Sequence, residues 1–215
     1  MALTQPRTDK DILIDRMLLL HSVKNAEKIG WIGSTKIQKI VFFSEYLMNN
    51  RNIRGHNLLF RRLHFGPYSD DLKKDIVELS SIDYLSVDDK GSLVLGDTGN
   101  DIIDDIIELL EDNKQVSDAI MESIYKIAPL DTEETLKFIY ALPYKSKHGN
   151  TVGDVPDGGT ICRPIDEFNT FNIDRDWLET LDLLFNFSSV ENLIKILDKS
   201  PRTPSAPFMV EYDAI

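Results

Sequence analysis

A single cysteine, Cys162, stands among 215 residues. One thiol excludes an intrachain disulfide and any zinc module built on several cysteines, and it suits a reducing compartment. No apolar run approaches the roughly 20 residues a membrane helix needs. The start, MALTQPRTDKDILID, lacks a basic stretch followed by an apolar core, so no signal peptide is read. The expectation is a cytoplasmic protein that does not bind membranes.

Histidine is scarce too. His21, His56, His64 and His148 include no pair at i, i+3 or i, i+4 spacing, and Cys162 is remote, so no metal-ligand pattern emerges. Each histidine is read as a surface or turn residue. There is no G-x-S-x-G elbow, and Cys162 has no neighbouring histidine in sequence. The glycines at 149–153 lack the G-K-[ST] end of a phosphate loop. The reading is therefore not an enzyme, with no catalytic residue, no metal ligand and no cofactor.

Charge is present and unevenly spread. The net of −12 divides into 13 − 10 = +3 for residues 1–86 and 11 − 26 = −15 for residues 87–215. Between Tyr46 and Ser69 there is no Asp or Glu, while Arg51, Arg54, Arg61 and Arg62 occur with His56 and His64. Arginine presents a planar fork of donors suited to carboxylate or phosphate. Residues 88–112 hold nine acids and one lysine. Three readings of the arginine patch stay open. It pairs with that acidic stretch within the chain or across a homo-oligomer, it docks an acidic protein partner, or it holds nucleic-acid phosphates.

The apolar spacing places a helix over 11–29. A second runs from Ser34 or Thr35 as N-cap to about residue 49, with Ile37, Ile40, Val41, Phe42 and Phe43 toward the core and Lys36, Gln38 and Lys39 on a solvated side. Residues 58–63 read as a short strand or an extended link, and Phe65-Gly66-Pro67-Tyr68-Ser69 as a rigid turn. Ser69 caps a third helix over 70–80. The segments 84–87 and 92–95 flank Gly91 as a β-hairpin. Further helices follow from Thr98, over 115–127 and 131–141, and over 177–198. Residues 144–173 read as a long loop.

This gives a mainly α, α+β fold. It is a winged-helix-like helical domain with one small β-hairpin over 1–115, additional C-terminal helices over 116–199, and a flexible tail over 200–215. That tail carries Phe208, Met209, Val210 and Tyr212, a possible binding peptide. The third helix, with Asp70, Asp71, Lys73, Lys74, Asp75 and Glu78, sums to 2 − 4 = −2, which disfavours a seat in a phosphate-lined groove.

The stretch Thr35-Lys36-Ile37-Gln38-Lys39-Ile40-Val41-Phe42-Phe43 and the later Phe60-Arg61-Arg62-Leu63-His64-Phe65-Gly66-Pro67-Tyr68-Ser69 resemble the two anchors of the Panacea/SocA-like antitoxin-associated domain, in its YwgA-like branch. The resemblance covers roughly residues 10–115. It implies a non-enzymatic module that neutralises or delivers a toxin-like protein partner, in a toxin-antitoxin or phage-related setting. The partner-binding candidates are Arg51, Arg54, Arg61, Arg62, His64 and Tyr68, with Phe60 and Trp177 as further aromatic anchors. The runner-up is a winged-helix-type DNA-binding regulator.

Overall fold

The computed structural model describes residues 6–144, 150–162 and 172–186. Helix α1 (Asp9–Ala26) begins two residues before the apolar spacing implies, because Thr8 and Asp11 form a capping box. The Asp11 N–H donates to Thr8 Oγ1 at 3.2 Å, and the Thr8 N–H donates to Asp11 Oδ2 at 2.9 Å. Met17, Leu18, Leu19 and Leu20 are buried in succession, so α1 is enclosed on all sides and not along one stripe. Helix α2 (Ser34–Asn50) starts after Gly33, which takes the N-cap position expected of Ser34 or Thr35. Its apolar residues Ile37, Ile40, Val41, Phe42 and Phe43 are buried as read.

The next segment departs from expectation. Strand β1 (Phe60–Leu63) turns back at once into β2 (Gly66–Tyr68). The register Arg61↔Tyr68, Arg62↔Pro67, Leu63↔Gly66 makes the presumed rigid turn half of a second hairpin. Helix α3 (Asp70–Ser81) follows, with Ser69 Oγ accepting from the Leu72 N–H at 3.3 Å. Strands β3 (Leu85–Val87) and β4 (Leu93–Leu95) form the expected hairpin around Gly91. Three helices come next, α4 (Asp97–Asp112), α5 (Lys114–Ile127) and α6 (Thr132–Tyr140).

Within the stretch read as a long loop, a 3-10 turn at Val152–Asp154 leads to β5 (Thr160–Cys162). Strand β5 pairs antiparallel with β1, giving a sheet of order β2-β1-β5. Helix α7 (Arg175–Asn186) ends the described chain. The second half of the helix read over 177–198, and the tail from 200, lie outside the described residues.

The chain is mainly helical with two small antiparallel sheets. The helices share one core. Helix α5 sets Val116, Ala119, Ile120, Ile124 and Ile127 against α1 and α2, and Ser123 Oγ donates to the Ile40 carbonyl at 2.6 Å. Helices before and after residue 115 thus pack on each other. Helix α4 contributes Ile102, Ile103, Ile106, Leu109 and Leu110. Gly99 lets α4 approach β3: a Cβ there would sit 2.1 Å from the Tyr84 carbonyl oxygen. Helix α7 docks through Leu181, Leu184 and Phe185, and the buried Tyr84 hydroxyl donates to the Leu184 carbonyl. Truncating any of these buried Leu or Ile side chains to Ala costs about 2–5 kcal/mol. Among the described residues no helix is long and apolar enough to cross a membrane.

Candidate functional site

The β1–β2 hairpin is held from beneath by α2. Gln38 Nε2 donates to the Ser69 carbonyl at 3.1 Å, and the Ser69 N–H donates back to Gln38 Oε1 at 2.9 Å. Lys39 Nζ donates to the Pro67 carbonyl at 2.8 Å. Both side chains are buried, which corrects the reading of Gln38 and Lys39 as a solvated side. Burial pushes the Lys39 ammonium down to about 8. Gly66 takes φ +95 directly over this lysine, and a Cβ there would meet Leu136 Cδ2 at 2.8 Å and Lys39 Cε at 2.9 Å. Only glycine suits such a turn end. The two sequence anchors are thus one structural unit.

The sides of the hairpin are fixed as well. Tyr140 Oη donates to the Leu63 and His64 carbonyls, each at 3.1 Å. The Arg62 guanidinium lies 5.2 Å from the Tyr140 ring centroid and 3.9 Å from Asp157 Oδ1. The Arg62 N–H donates to Gly159 O, and the Gly158 N–H donates to Arg62 O. What remains in solvent is the tip and one face: Arg61, Leu63, His64 and Phe65, the last 68% exposed. Phe65 and His64 meet edge to face at 4.8 Å. Arg61 makes no side-chain hydrogen bond or ion pair with any described residue among the observed contacts, and its cross-strand neighbour Tyr68 is half-buried.

The six residues singled out in sequence therefore separate. Arg61, His64 and Tyr68 belong to the exposed hairpin, and Arg62 braces it. Arg51 pairs with Glu122 of α5. Arg54 pairs with Asp11 at 3.3 Å and donates to Asn57 Oδ1 at 2.9 Å. These acids lie outside 88–112, so the arginines are held inside the chain by different partners from those expected. Phe60 is core, and Trp177 is half-buried at the start of α7. Phe65 and Leu63 were missed; the signal was Gly66 five residues after Arg61, a left-handed glycine closing a short turn.

A largely buried ionic network joins the α1 region to α3. Arg7 Nη1 bonds Asp15 Oδ2 at 2.9 Å and Asp75 Oδ2 at 2.7 Å. Arg16 reaches Asp75 and Glu78. Asp15 Oδ1 also accepts from the Asn57 N–H at 2.7 Å and lies 3.8 Å from His56 Nδ1. Burial pushes Asp15 up to about 7 against the opposing pull of Arg7. Burial, with the charge of Asp15 adding, raises Glu45 well above its ordinary range. Burial pushes His56 down to about 3. Asp15, Glu45 and His56 are enclosed almost completely, so the cluster offers no face to a substrate in this conformation.

A second grouping has the outline of a nucleophile and base. Ser117 Oγ stands 3.2 Å from His21 Nε2. Asn25 Nδ2 donates to the His21 carbonyl at 2.9 Å and faces His21 Nδ1 at 3.3 Å, while Asn25 Oδ1 accepts from Lys28 Nζ at 3.2 Å. With Nδ1 as acceptor, the neutral ring carries its proton on Nε2, toward the serine. That wiring is the reverse of a general base. Burial lowers His21 to about 4, so the ring stays neutral. Both His21 and His56 are interior, not surface, residues.

Helix α3 also differs from its sequence reading. Asp75 is buried against Arg7 and Arg16, Glu78 pairs with Arg16, and Asp71 lies 3.7 Å from Arg7. Asp70, Lys73 and Lys74 are exposed, and Lys74 Nζ lies 3.6 Å from Glu78 Oε1. Of the four acids of this helix Asp75 alone is buried, while Asp71 and Glu78 stay partly exposed beside their arginines. Among the described residues no group of three or more His, Cys, Asp or Glu is placed to hold a metal ion. No family model, no curated protein and no solved structure matches the chain.

Proposed function

We propose that this chain is a non-enzymatic, antitoxin-like interaction module that neutralises or delivers a protein partner, and that it docks through the tip of the β1–β2 hairpin. One observation carries the reading. Phe65 stands 68% exposed beside Leu63, Arg61 and His64, on a hairpin whose backbone is tied down by Gln38, Lys39 and Tyr140. An exposed aromatic beside an arginine without an ion-pair partner among the described residues is the composition of an interface anchor. A rigid mount lowers the ordering cost of binding. The resemblance of the two anchors to antitoxin-associated domains points the same way.

The test is co-purification with the product of the adjacent gene, after nuclease treatment and at about 0.5 M salt, where exposed ionic contacts are largely screened. Retention by the native chain and loss on combining Phe65→Ala with Arg61→Glu supports the reading. Equal retention by both chains refutes it.

A second reading rests on α3, whose exposed Lys73 and Lys74 are followed by the β3–β4 hairpin in winged-helix order. It requires affinity for duplex DNA that falls steeply with salt and that drops on Lys73→Glu with Lys74→Glu.

A further inference from the structure

We infer that residues 53–59, the stretch joining α2 to β1, form a proton-held latch: they stay seated against α1 and α2 while one proton remains on the Asp15–Glu45 pair, and they come away when it is lost. This goes beyond the docking reading and does not depend on it.

The stretch is buried although it has no regular form. Asn52 turns the chain off α2 at φ +56. No helix or strand follows until Phe60, yet Ile53, Gly55, His56, Asn57 and Leu58 are buried. Connections ordinarily run over the surface, because their peptide groups lack a ladder to bond. Here a carboxyl group supplies the partner. Asp15 Oδ1 of α1 accepts from the Asn57 N–H at 2.7 Å and from Asn57 Nδ2 at 3.4 Å. Arg54 donates to Asn57 Oδ1 at 2.9 Å and to Asp11 Oδ1 at 3.3 Å.

The charges around this seat make it conditional. Asp15 on α1 is 2% exposed, and Glu45 on α2 and His56 in the stretch are fully enclosed. Neither Glu45 oxygen and neither His56 ring nitrogen has a hydrogen-bond partner among the described residues. Arg7 compensates Asp15 but is shared with Asp75 of α3. Asp15 opposes the charge of Glu45, while the His56 peptide N–H, Arg54 and the Asn49 amide favour it without completing a hydrogen bond. His56 has Asp15 at 3.8 Å and the opposing charge of Arg7. From β5, Cys162 Sγ meets Asn49 Nδ2 at 2.9 Å.

A carboxylate sealed from water without hydrogen bonds does not stay charged beside a second one. The seated pair therefore keeps a proton. Burial holds both carboxyls above their usual range, and opening returns them to water and to their ordinary values. Opening thus releases a proton, and each proton released raises the opening constant about ten-fold per pH unit. Seating is tightest in mild acid and fails as pH rises. An opened His56 takes up a proton below about pH 6.5 and blunts the slope, so the trend is cleanest above about pH 7.

The experiment is amide hydrogen exchange of the full chain from about pH 7 to about pH 8.5, with intrinsic chemical exchange divided out. The Asn57 N–H reports the stretch, and the Ile120 and Ile124 amides of α5 report the core. The Asn57 opening constant should rise about ten-fold per pH unit in the native chain and about two-fold or less in Glu45→Gln. At each pH it should exceed that of the α5 amides by about ten-fold or more.

A native slope below about two-fold per pH unit overturns the latch. So does a Glu45→Gln chain that keeps the native slope. Equal opening constants for Asn57 and the α5 amides mean that the stretch leaves only on global unfolding, which also overturns it. Should Glu45→Gln fail to fold, the carbon-13 shift of the Glu45 carboxyl in the native chain decides. The acid form at about pH 7 is expected, and an ionised carboxylate there overturns the inference.

Discussion

Gln38 and Ser69, 31 residues apart, exchange two hydrogen bonds between one side-chain amide and the backbone N–H and C=O of one residue. The amide of Gln38 is used on both ends, and both Ser69 groups are buried. Gln38→Ala leaves the buried Ser69 N–H without a partner, at about 1–3 kcal/mol, and takes from the Ser69 carbonyl one of its two donors, the other being the Lys73 N–H at 3.2 Å. The expected result is a loss of about 2–4 kcal/mol in urea denaturation with the slope unchanged. Gln38→Glu removes the donor while keeping the acceptor and should also destabilise. A loss below about 0.5 kcal/mol for Gln38→Ala would mean that water replaces the side chain.

Arg7 compensates two buried carboxylates at once, Asp15 and Asp75. Arg7→Ala takes the arginine from Asp15 and leaves Asp75 with Arg16 at 3.5 Å, and removing one member of a buried ion pair costs about 3–5 kcal/mol. Adding Asp15→Asn should recover part of that loss, because the carboxylate left without its arginine is then gone. Thermal unfolding of the three variants measures it. Additive losses, with no recovery in the double variant, would show that Arg7 acts by packing and not by charge.

The buried ionisable groups set opposing pH trends. The folded-state pKa of Glu45 is raised above its ordinary 4.5, so its stabilising share is complete below that value and is lost as pH rises through the folded one. His21 and His56 are lowered from 6.5 to about 4 and about 3. The unfolded chain takes up their protons first, so their share is present above 6.5 and is lost as pH falls through the folded values. Glu45→Gln should therefore exceed the native chain in stability at about pH 8, with the margin shrinking toward about pH 5. A margin independent of pH would show that Glu45 is not holding a proton in the folded state.

Much of the helical frame was legible because it follows local rules. Ser69 followed by Asp70 and Asp71 caps α3, and the apolar periodicity of α2 describes a face that is in fact buried. The burial of Gln38 and Lys39 was not legible, since their partners are backbone carbonyls 28–31 residues away. Strand β5 was hidden in a stretch of glycine and proline because its support comes from β1, a hundred residues earlier. Arg61 and Arg62 look equivalent in sequence. They diverge once β1 is a strand, because neighbours on a strand face opposite sides: one meets solvent and the other Tyr140. The burial of Asp75 in α3 was not legible either, since its partners Arg7 and Arg16 lie 68 and 59 residues upstream.

The proposed docking role makes a sharp demand on stability. Phe65, Arg61 and His64 are exposed, and surface substitutions away from buried features stay within about 0.5 kcal/mol. Phe65→Ala and Arg61→Glu should leave the unfolding midpoint unchanged. Arg62→Glu should not, since Arg62 rests on Tyr140 and faces Asp157. A melting curve as damaged by Phe65→Ala as by Arg62→Glu would place Phe65 among the structural residues.

The most direct measurement is quantitative partner capture by the native chain and by the Phe65→Ala, Arg61→Glu chain, side by side, with nuclease and at about 0.5 M salt. The same partner held in a fixed ratio by the first and reduced about ten-fold or more by the second, at equal melting temperature, is the expected result. Equal recovery by both chains, or recovery that disappears with nuclease, contradicts the account.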